Sequence, residues 1–330
     1  TALMFAVRYD LKDIALDLIS RGADPQATNK SGFSTLHLAA KYGSIDVLKA
    51  LLDKKIPVSP VDKEGWTPLH QALREERGEA ALMLMARGAD LTRKTGNGWN
   101  PLHLALRNNQ SQAARQLILK GAGLNETLSD GWNPLMLALR YDQAENARLL
   151  IERKAGLNAR NSDGWSPLMH ALRYDQANNA RLLIEKGIDP KTSIPNGWTA
   201  LHFAIEFGQP ENARLLIAKG AVKDVLNPDG KTALDLAQAK GYGEIVRLLG
   251  GDPTKTAATP AVNPPLAAAR PAVAAPSSGS WLPGLLGQFI PQQPGVTRII
   301  KADNCGAGSS LCSAQLEMST SKKEALEGFK

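Results

Sequence analysis

The sequence predicts an all-α solenoid, a stack of short helix-turn-helix units, and two observations carry that prediction. A hexapeptide recurs every 33 residues: TALMFA at Thr1, STLHLA at Ser34, TPLHQA at Thr67, NPLHLA at Asn100, NPLMLA at Asn133, SPLMHA at Ser166, TALHFA at Thr199 and TALDLA at Thr232. A period this strict, with no insertion between Thr1 and about residue 249, marks a stacked repeat array. Each copy also carries a helix-start signal. Ser, Thr or Asn opens it, and Pro follows at Pro68, Pro101, Pro134 and Pro167. A hydroxyl or amide at that place accepts orphan backbone N–H groups, and Pro at the first helical position gives up a donor the helix cannot use.

The elements of one unit follow in order. In the fifth unit the first helix carries Leu135, Leu137, Ala138 and Leu139 and breaks near Asp142; the second carries Ala147, Leu149, Leu150 and Ile151. Neither is long enough to be stable alone, so both must bury their apolar sides between neighbouring hairpins. Gly22, Gly88, Gly121, Gly187 and Gly220 stand where the second helices end and a left-handed residue is needed. Lys55 and Lys154 hold that place in units two and five, which predicts slightly strained exits. A further glycine precedes each later hexapeptide, at Gly32, Gly65, Gly98, Gly131, Gly164, Gly197 and Gly230. Asp or Asn comes just before several of these, which reads as a tight turn.

The 33-residue period with T-P-L-H-x-A resembles the ankyrin repeat family, in eight consecutive units over residues 1–250. The resemblance implies that the turn is the tip of a projecting β-finger, that the fold is an ankyrin solenoid of stacked helical pairs, and that it serves protein binding. The last unit, with Asp235 at the histidine place and Gln238, Lys240 and Glu244 nearby, looks like a polar C-terminal cap. At the other end, Leu3, Phe5 and Val7 have no polar helix to shield them, and neither a start Met nor a finger precedes Thr1. The expectation is a fragment or processed form of something longer.

Outside the array the composition changes. Residues 251–294 form a Pro/Ala-rich linker that cannot bury a core, with a short apolar docking piece at Trp281–Ile290. Residues 295–330 form a small C-terminal segment with a candidate strand at Val296–Lys301. It holds the only two cysteines of the chain, Cys305 and Cys312, whose spacing suits a small disulfide loop in an oxidising compartment, two free thiols being the alternative. The linker and this pair favour a bacterial periplasmic or secreted setting over a cytoplasmic one. Net charge is +7. Residues 251–330 hold seven Lys/Arg against five Asp/Glu, so +5 is spread over the array, too dilute to argue for nucleic acid. No apolar run approaches the roughly 18 residues of a membrane span.

No nucleophile elbow, phosphate-binding glycine loop, H-E-x-x-H or zinc-type cysteine spacing appears, so no catalytic residue, metal or cofactor is assigned. His37, His70, His103 and His202 share one motif position. Repeats stack at ~10 Å, too far apart for their imidazoles to share a metal. The resemblance implies that this histidine buttresses the finger by hydrogen bonding, with Met4, Met136 and Met169 as substitutes.

The candidate partner-binding residues form a ladder. Trp66, Trp99, Trp132, Trp165 and Trp198 follow the finger glycines, with Phe33 one unit earlier. Arg8, Lys41, Arg74, Arg107, Arg140 and Arg173 stand at the ends of the first helices, next to Tyr9, Tyr42, Tyr141, Tyr174 and Phe207. In ankyrin arrays both places face the concave groove, and Trp, Tyr and Arg are the residues enriched at binding hot spots. The structural alternative is that the indoles stack on neighbouring fingers with Arg stems over them. Arg148, Arg181 and Arg214, in near-identical NARLLI runs, read as solvated surface of the opposite face. The function expected is a non-enzymatic scaffold holding an elongated or acidic protein segment. The alternatives are the targeting portion of a larger enzyme or secreted effector and, less favoured, nucleic-acid binding.

Overall fold

A computed structural model describes residues 1–255. Sixteen α-helices occur among these residues, in pairs: α1 (Ala2–Arg8) and α2 (Lys12–Ser20), α3 (Thr35–Tyr42) and α4 (Ile45–Asp53), α5 (Pro68–Arg74) and α6 (Gly78–Ala86), α7 (Pro101–Arg107) and α8 (Ser111–Leu119). Then follow α9 (Pro134–Arg140) and α10 (Ala144–Glu152), α11 (Pro167–Arg173) and α12 (Ala177–Glu185), α13 (Ala200–Glu206) and α14 (Pro210–Ala218), α15 (Ala233–Ala239) and α16 (Gly243–Leu248). Odd-numbered helices pack on odd-numbered neighbours and even on even, giving two layers. Leu36, Leu69, Leu102, Leu135, Leu168 and Leu201, one from each of six successive units, are fully buried and form a single column between them. A 3-10 turn at Pro253–Lys255 packs on α16. Cys305, Cys312, Trp281–Ile290 and Val296–Lys301 lie outside the described residues.

Every first helix is capped as its hexapeptide predicts, the opening Ser, Thr or Asn side chain accepting the backbone N–H three residues on. The motif histidine completes the cap and, at His37, His70 and His103, reaches onward to the next turn; His202 completes its cap, but its Nε2 has no hydrogen-bond partner. At His70, the Thr67 backbone N–H donates to Nδ1 (3.2 Å) and Nε2 lies 3.0 Å from the Arg93 carbonyl. A peptide N–H only donates and a carbonyl only accepts, so the proton sits on Nε2. His37 and His103 make the same bridge, to the carbonyls of Trp66 and Glu126. Where Met136 replaces the histidine, Asn133 takes over and donates to the Gly156 carbonyl at 2.9 Å. A side chain at Gly156, where φ is +62°, would run into the Asn133 amide.

The turns are built on an Asx residue. The Asp62 carboxylate accepts from the N–H groups of Glu64 and Trp66, and Asn161 does the same for Asp163 and Trp165. Successive turns join through the backbone, Lys63 N–H donating to Ser31, Gly96 to Glu64 and Ser162 to Asp130. Gly131 shows why glycine is needed there: φ is +80° and a Cβ would lie 2.8 Å from the Arg160 carbonyl oxygen. At the second-helix exits Lys55 and Lys154 take the left-handed conformation (φ +57° and +56°), so the geometry holds without glycine. The first helices end the same way, on Asp10, Glu76, Asn109, Asp142 and Asp175 at φ between +52° and +58°.

Three buried glutamine–asparagine pairs staple the central units. Gln176 Nε2 donates to the Leu139 carbonyl (2.7 Å) and Gln209 Nε2 to the Leu172 carbonyl (2.7 Å), and Gln143 makes the same bond to Leu106. These are orphan carbonyls from the last turn of the preceding unit's first helix. Asn146, Asn179 and Asn212 each donate to the glutamine oxygen of their own unit and to a carbonyl in the unit before.

Two predictions follow from this packing. Leu135→Ala costs about 2–5 kcal/mol as a core truncation, and Gln176→Ala costs about 1–3 kcal/mol by stranding a buried carbonyl. The exposed control Glu185→Ala stays within about 0.5 kcal/mol, all three read from urea midpoints. The second prediction concerns pH. Burial pushes His70 and His103 from 6.5 down to about 4. Below pH 6.5 the unfolded chain takes up protons that the folded chain refuses, so stability falls with pH. The slope is about 1.4 kcal/mol per pH unit per histidine until the folded values are reached. Urea midpoints therefore drop between pH 7 and 5, and His103→Met, which puts in the residue found at Met136, makes the drop shallower.

Candidate functional site

The ladder residues come together as rungs, each built within one unit. The turn delivers the indole and the end of the first helix delivers the guanidinium; in units five and six the next residue, Tyr141 or Tyr174, adds a tyrosine, where units three and four have Glu75 and Asn108. The Arg74 guanidinium carbon lies 5.2 Å from the Trp66 ring centre, Arg107 5.1 Å from Trp99, Arg140 5.2 Å from Trp132 and Arg173 5.3 Å from Trp165. On the other side the capping histidine meets the indole edge-on, at 5.9 Å for Trp66 and His70 and 6.0 Å for Trp99 and His103. Of the ladder tryptophans, Trp66 and Trp99 thus sit between a helix cap and an arginine. Trp99 is only 7% exposed and the other four are half-buried against the core. Their ring faces belong largely to packing, and the outer layer of each rung is Arg and Tyr.

The rungs differ in charge. At the N-terminal side Glu75 approaches both Lys41 (3.9 Å) and Arg74 (3.8 Å). At the other end Glu206 takes the arginine place and pairs with Lys240 at 3.1 Å. Between them, Arg173 is exposed and has no carboxylate beside it among the described residues. Its guanidinium stands over Trp165, Tyr174 (5.9 Å) and Phe207 (5.8 Å), while Arg140 Nη1 donates to Tyr174 Oη at 3.4 Å. Three arginines of the second helices are arranged otherwise: Arg148, Arg181 and Arg214 each pair with a glutamate one turn away, at 2.9, 2.8 and 3.1 Å, while Arg115, at the same place on α8, is exposed without a carboxylate beside it among the described residues. Such exposed pairs contribute little energy and leave a self-neutralised surface.

Two ladder residues were not apparent from the sequence. The fifth hexapeptide position, Leu in four of the eight units, is His170 in unit six and Phe203 in unit seven. His170 sits between Trp132 (4.7 Å) and Trp165 (5.2 Å) with Tyr174 parallel to it, and Phe203 sits between Trp165 (4.9 Å) and Trp198 (5.1 Å). Trp132, His170, Trp165, Phe203 and Trp198 therefore make one unbroken aromatic row across units five to seven. His170 is 3% exposed and neither ring nitrogen has a hydrogen-bond partner. Burial, with Arg140 and Arg173 close by, pushes its pKa down to about 3, so the ring is neutral. The one signal that could have found it was a polar residue at a mostly apolar motif position, where the only other polar residue is the buried Gln71 of unit three.

Among the described residues no group of three or more His, Cys, Asp and Glu is placed to hold a metal ion, and no helix is long and apolar enough to cross a membrane.

The family model for ankyrin repeats (three copies) matches residues 3–95, 102–194 and 189–257. Among solved structures, the chain is similar to the human ASB11 ankyrin repeat domain, with TM-score 0.54 and 22% identity over 66% of this chain and 97% of that one. It is also similar to an ankyrin repeat domain from Acinetobacter baumannii AYE, with TM-score 0.50 and 30% identity over 57% of this chain and 98% of that one. No curated protein matches it. The three family matches together span well over half of the sequence, and the helical pairs, capped hexapeptides and stacked turns agree with them: the chain belongs to the ankyrin repeat family.

Proposed function

We propose that the chain is a non-enzymatic scaffold that holds a partner protein on the face made by the turns and the first helices. Ankyrin repeats are a protein–protein interaction module, which gives the general function. The observation that carries the particular reading is the contrast between Arg173 and three arginines of the second helices. Arg148, Arg181 and Arg214 are matched with their own glutamates, whereas Arg173 stands over three aromatic rings with no carboxylate beside it. Arg and Tyr on a preorganised aromatic bed fit the composition of binding hot spots, and a surface already rigid loses little ordering entropy on capture.

On this reading the outer layer, Arg74, Arg107, Arg140, Tyr141, Arg173 and Tyr174, makes the contacts. Trp66, Trp99, Trp132, Trp165 and Trp198 hold it from beneath. The Pro/Ala-rich residues 251–294 tether the C-terminal segment, so that a second contact there raises the effective concentration of the first.

The test is affinity capture with the native chain and two triple variants. Arg107, Arg140 and Arg173 changed to Ala should release the partner, while Arg148, Arg181 and Arg214 changed to Ala should retain it, with thermal melts confirming that both variants fold. Equal retention by both, or loss only in the second, contradicts the assignment. Nucleic acid in place of protein in the captured material, with affinity falling steeply as salt rises, would move the function to another class.

A further inference from the structure

The slot over His170 has features that packing alone does not account for. Leu104 and Leu137 fill the same motif position in the two preceding units and Phe203 fills it in the next, all buried. An imidazole there keeps both nitrogens away from water and from any protein partner. A buried polar group left without a partner is destabilising relative to an apolar one of similar shape. The groups around it share one chemistry. Arg140 and Arg173 lie close enough for their charge to act on the ring, and Tyr174, parallel to it at 5.9 Å, accepts from Arg140.

Resting on the protein-binding reading above, we propose that this slot is a carboxylate site, and that the partner is an extended acidic segment that seats one Asp or Glu side chain between Arg140 and Arg173, over His170. The carboxylate takes charge-assisted hydrogen bonds from the two guanidinium groups. His170, neutral and with one ring N–H to give, donates a third. Entry moves the edge of Trp132 or Trp165, the two rings that cover the imidazole, so the indoles report occupancy. The neighbouring rungs do not reproduce the site. Unit seven has Phe203 in the slot and Glu206 at the arginine place, and unit five has Leu137 under its rings. The site thus fixes the register of an otherwise repetitive ladder.

The probe is an alternating Glu–Ala peptide of about twelve residues, long enough when extended to cross several rungs at ~10 Å spacing. Its Gln–Ala counterpart and an oligothymidylate of matched length serve as controls, all titrated into the full-length chain at physiological salt. Tryptophan fluorescence should respond to the Glu–Ala peptide and not to the Gln–Ala peptide. Arg173→Gln should weaken the Glu–Ala peptide by about tenfold or more, and Arg181→Gln by less than about twofold. His170→Leu should weaken it to a similar degree as Arg173→Gln while melting at or above the native temperature, a combination that a packing role would not produce. Three results would overturn the proposal: native affinity in His170→Leu, equal losses in Arg173→Gln and Arg181→Gln, or no response to the Glu–Ala peptide. Oligothymidylate binding equal to that of the peptide, with the same dependence on Arg173 and His170, would overturn the choice of carboxylate. If capture of a protein still depends on Arg107, Arg140 and Arg173 in any of these cases, the acidic anchor fails and the scaffold reading stands.

Discussion

The constraint on which the structure depends is that no helix in it can stand alone. The helices run from six to nine residues, well below the ~12–15 at which isolated helices become even marginal in water. Stability therefore comes from burying each pair between its neighbours, and the hexapeptide encodes the means. Its third residue fills the leucine column, its first caps the helix, and its histidine or the opening asparagine ties the cap to the next turn. Because each contact reaches only to the adjoining unit, the fold is set by nearest-neighbour terms and can repeat without change.

This division of labour decides where specificity can reside. The buried motif positions are occupied with packing and capping, and the turn glycines with backbone approach. The fifth motif position and the residues ending the first helix remain free to vary. Those places carry the aromatic row from Trp132 to Trp198, the arginines above it and His170 beneath. A ladder of similar rungs binds along its length without preferring one register. A single rung of different chemistry, such as that at His170, supplies the preference.

Much of this was legible in the sequence, because a fixed period turns every local signal into a repeated one. The helix starts, the glycine exits, the turns and the capping histidines could be read from one unit and checked against the others. The glutamine–asparagine staples could not. Gln176 bonds to a carbonyl 37 residues away, and nothing local distinguishes it from a surface glutamine. The NARLLI runs pointed to exposed arginines, and so they are, but the asparagine opening each run is the buried member. The ladder residues were visible, and an Arg stem lying over each indole is one of the two readings that the sequence leaves open. The family resemblance implied one face for Trp, Arg and Tyr, and the geometry puts the indoles of units three to six beneath their guanidinium groups. His170 hid because a lone histidine in a helix reads as ordinary until its two unpartnered nitrogens are seen.

The central claim is that partners are held on the turn and first-helix face. Hydrogen–deuterium exchange on the full-length chain, alone and with its captured protein partner, tests it most directly. The account predicts new protection in the turns around Trp99, Trp132 and Trp165 and at the ends of α7, α9 and α11, with α8, α10 and α12 unchanged. Protection confined to α8, α10 and α12 would contradict it and place the partner on the opposite face.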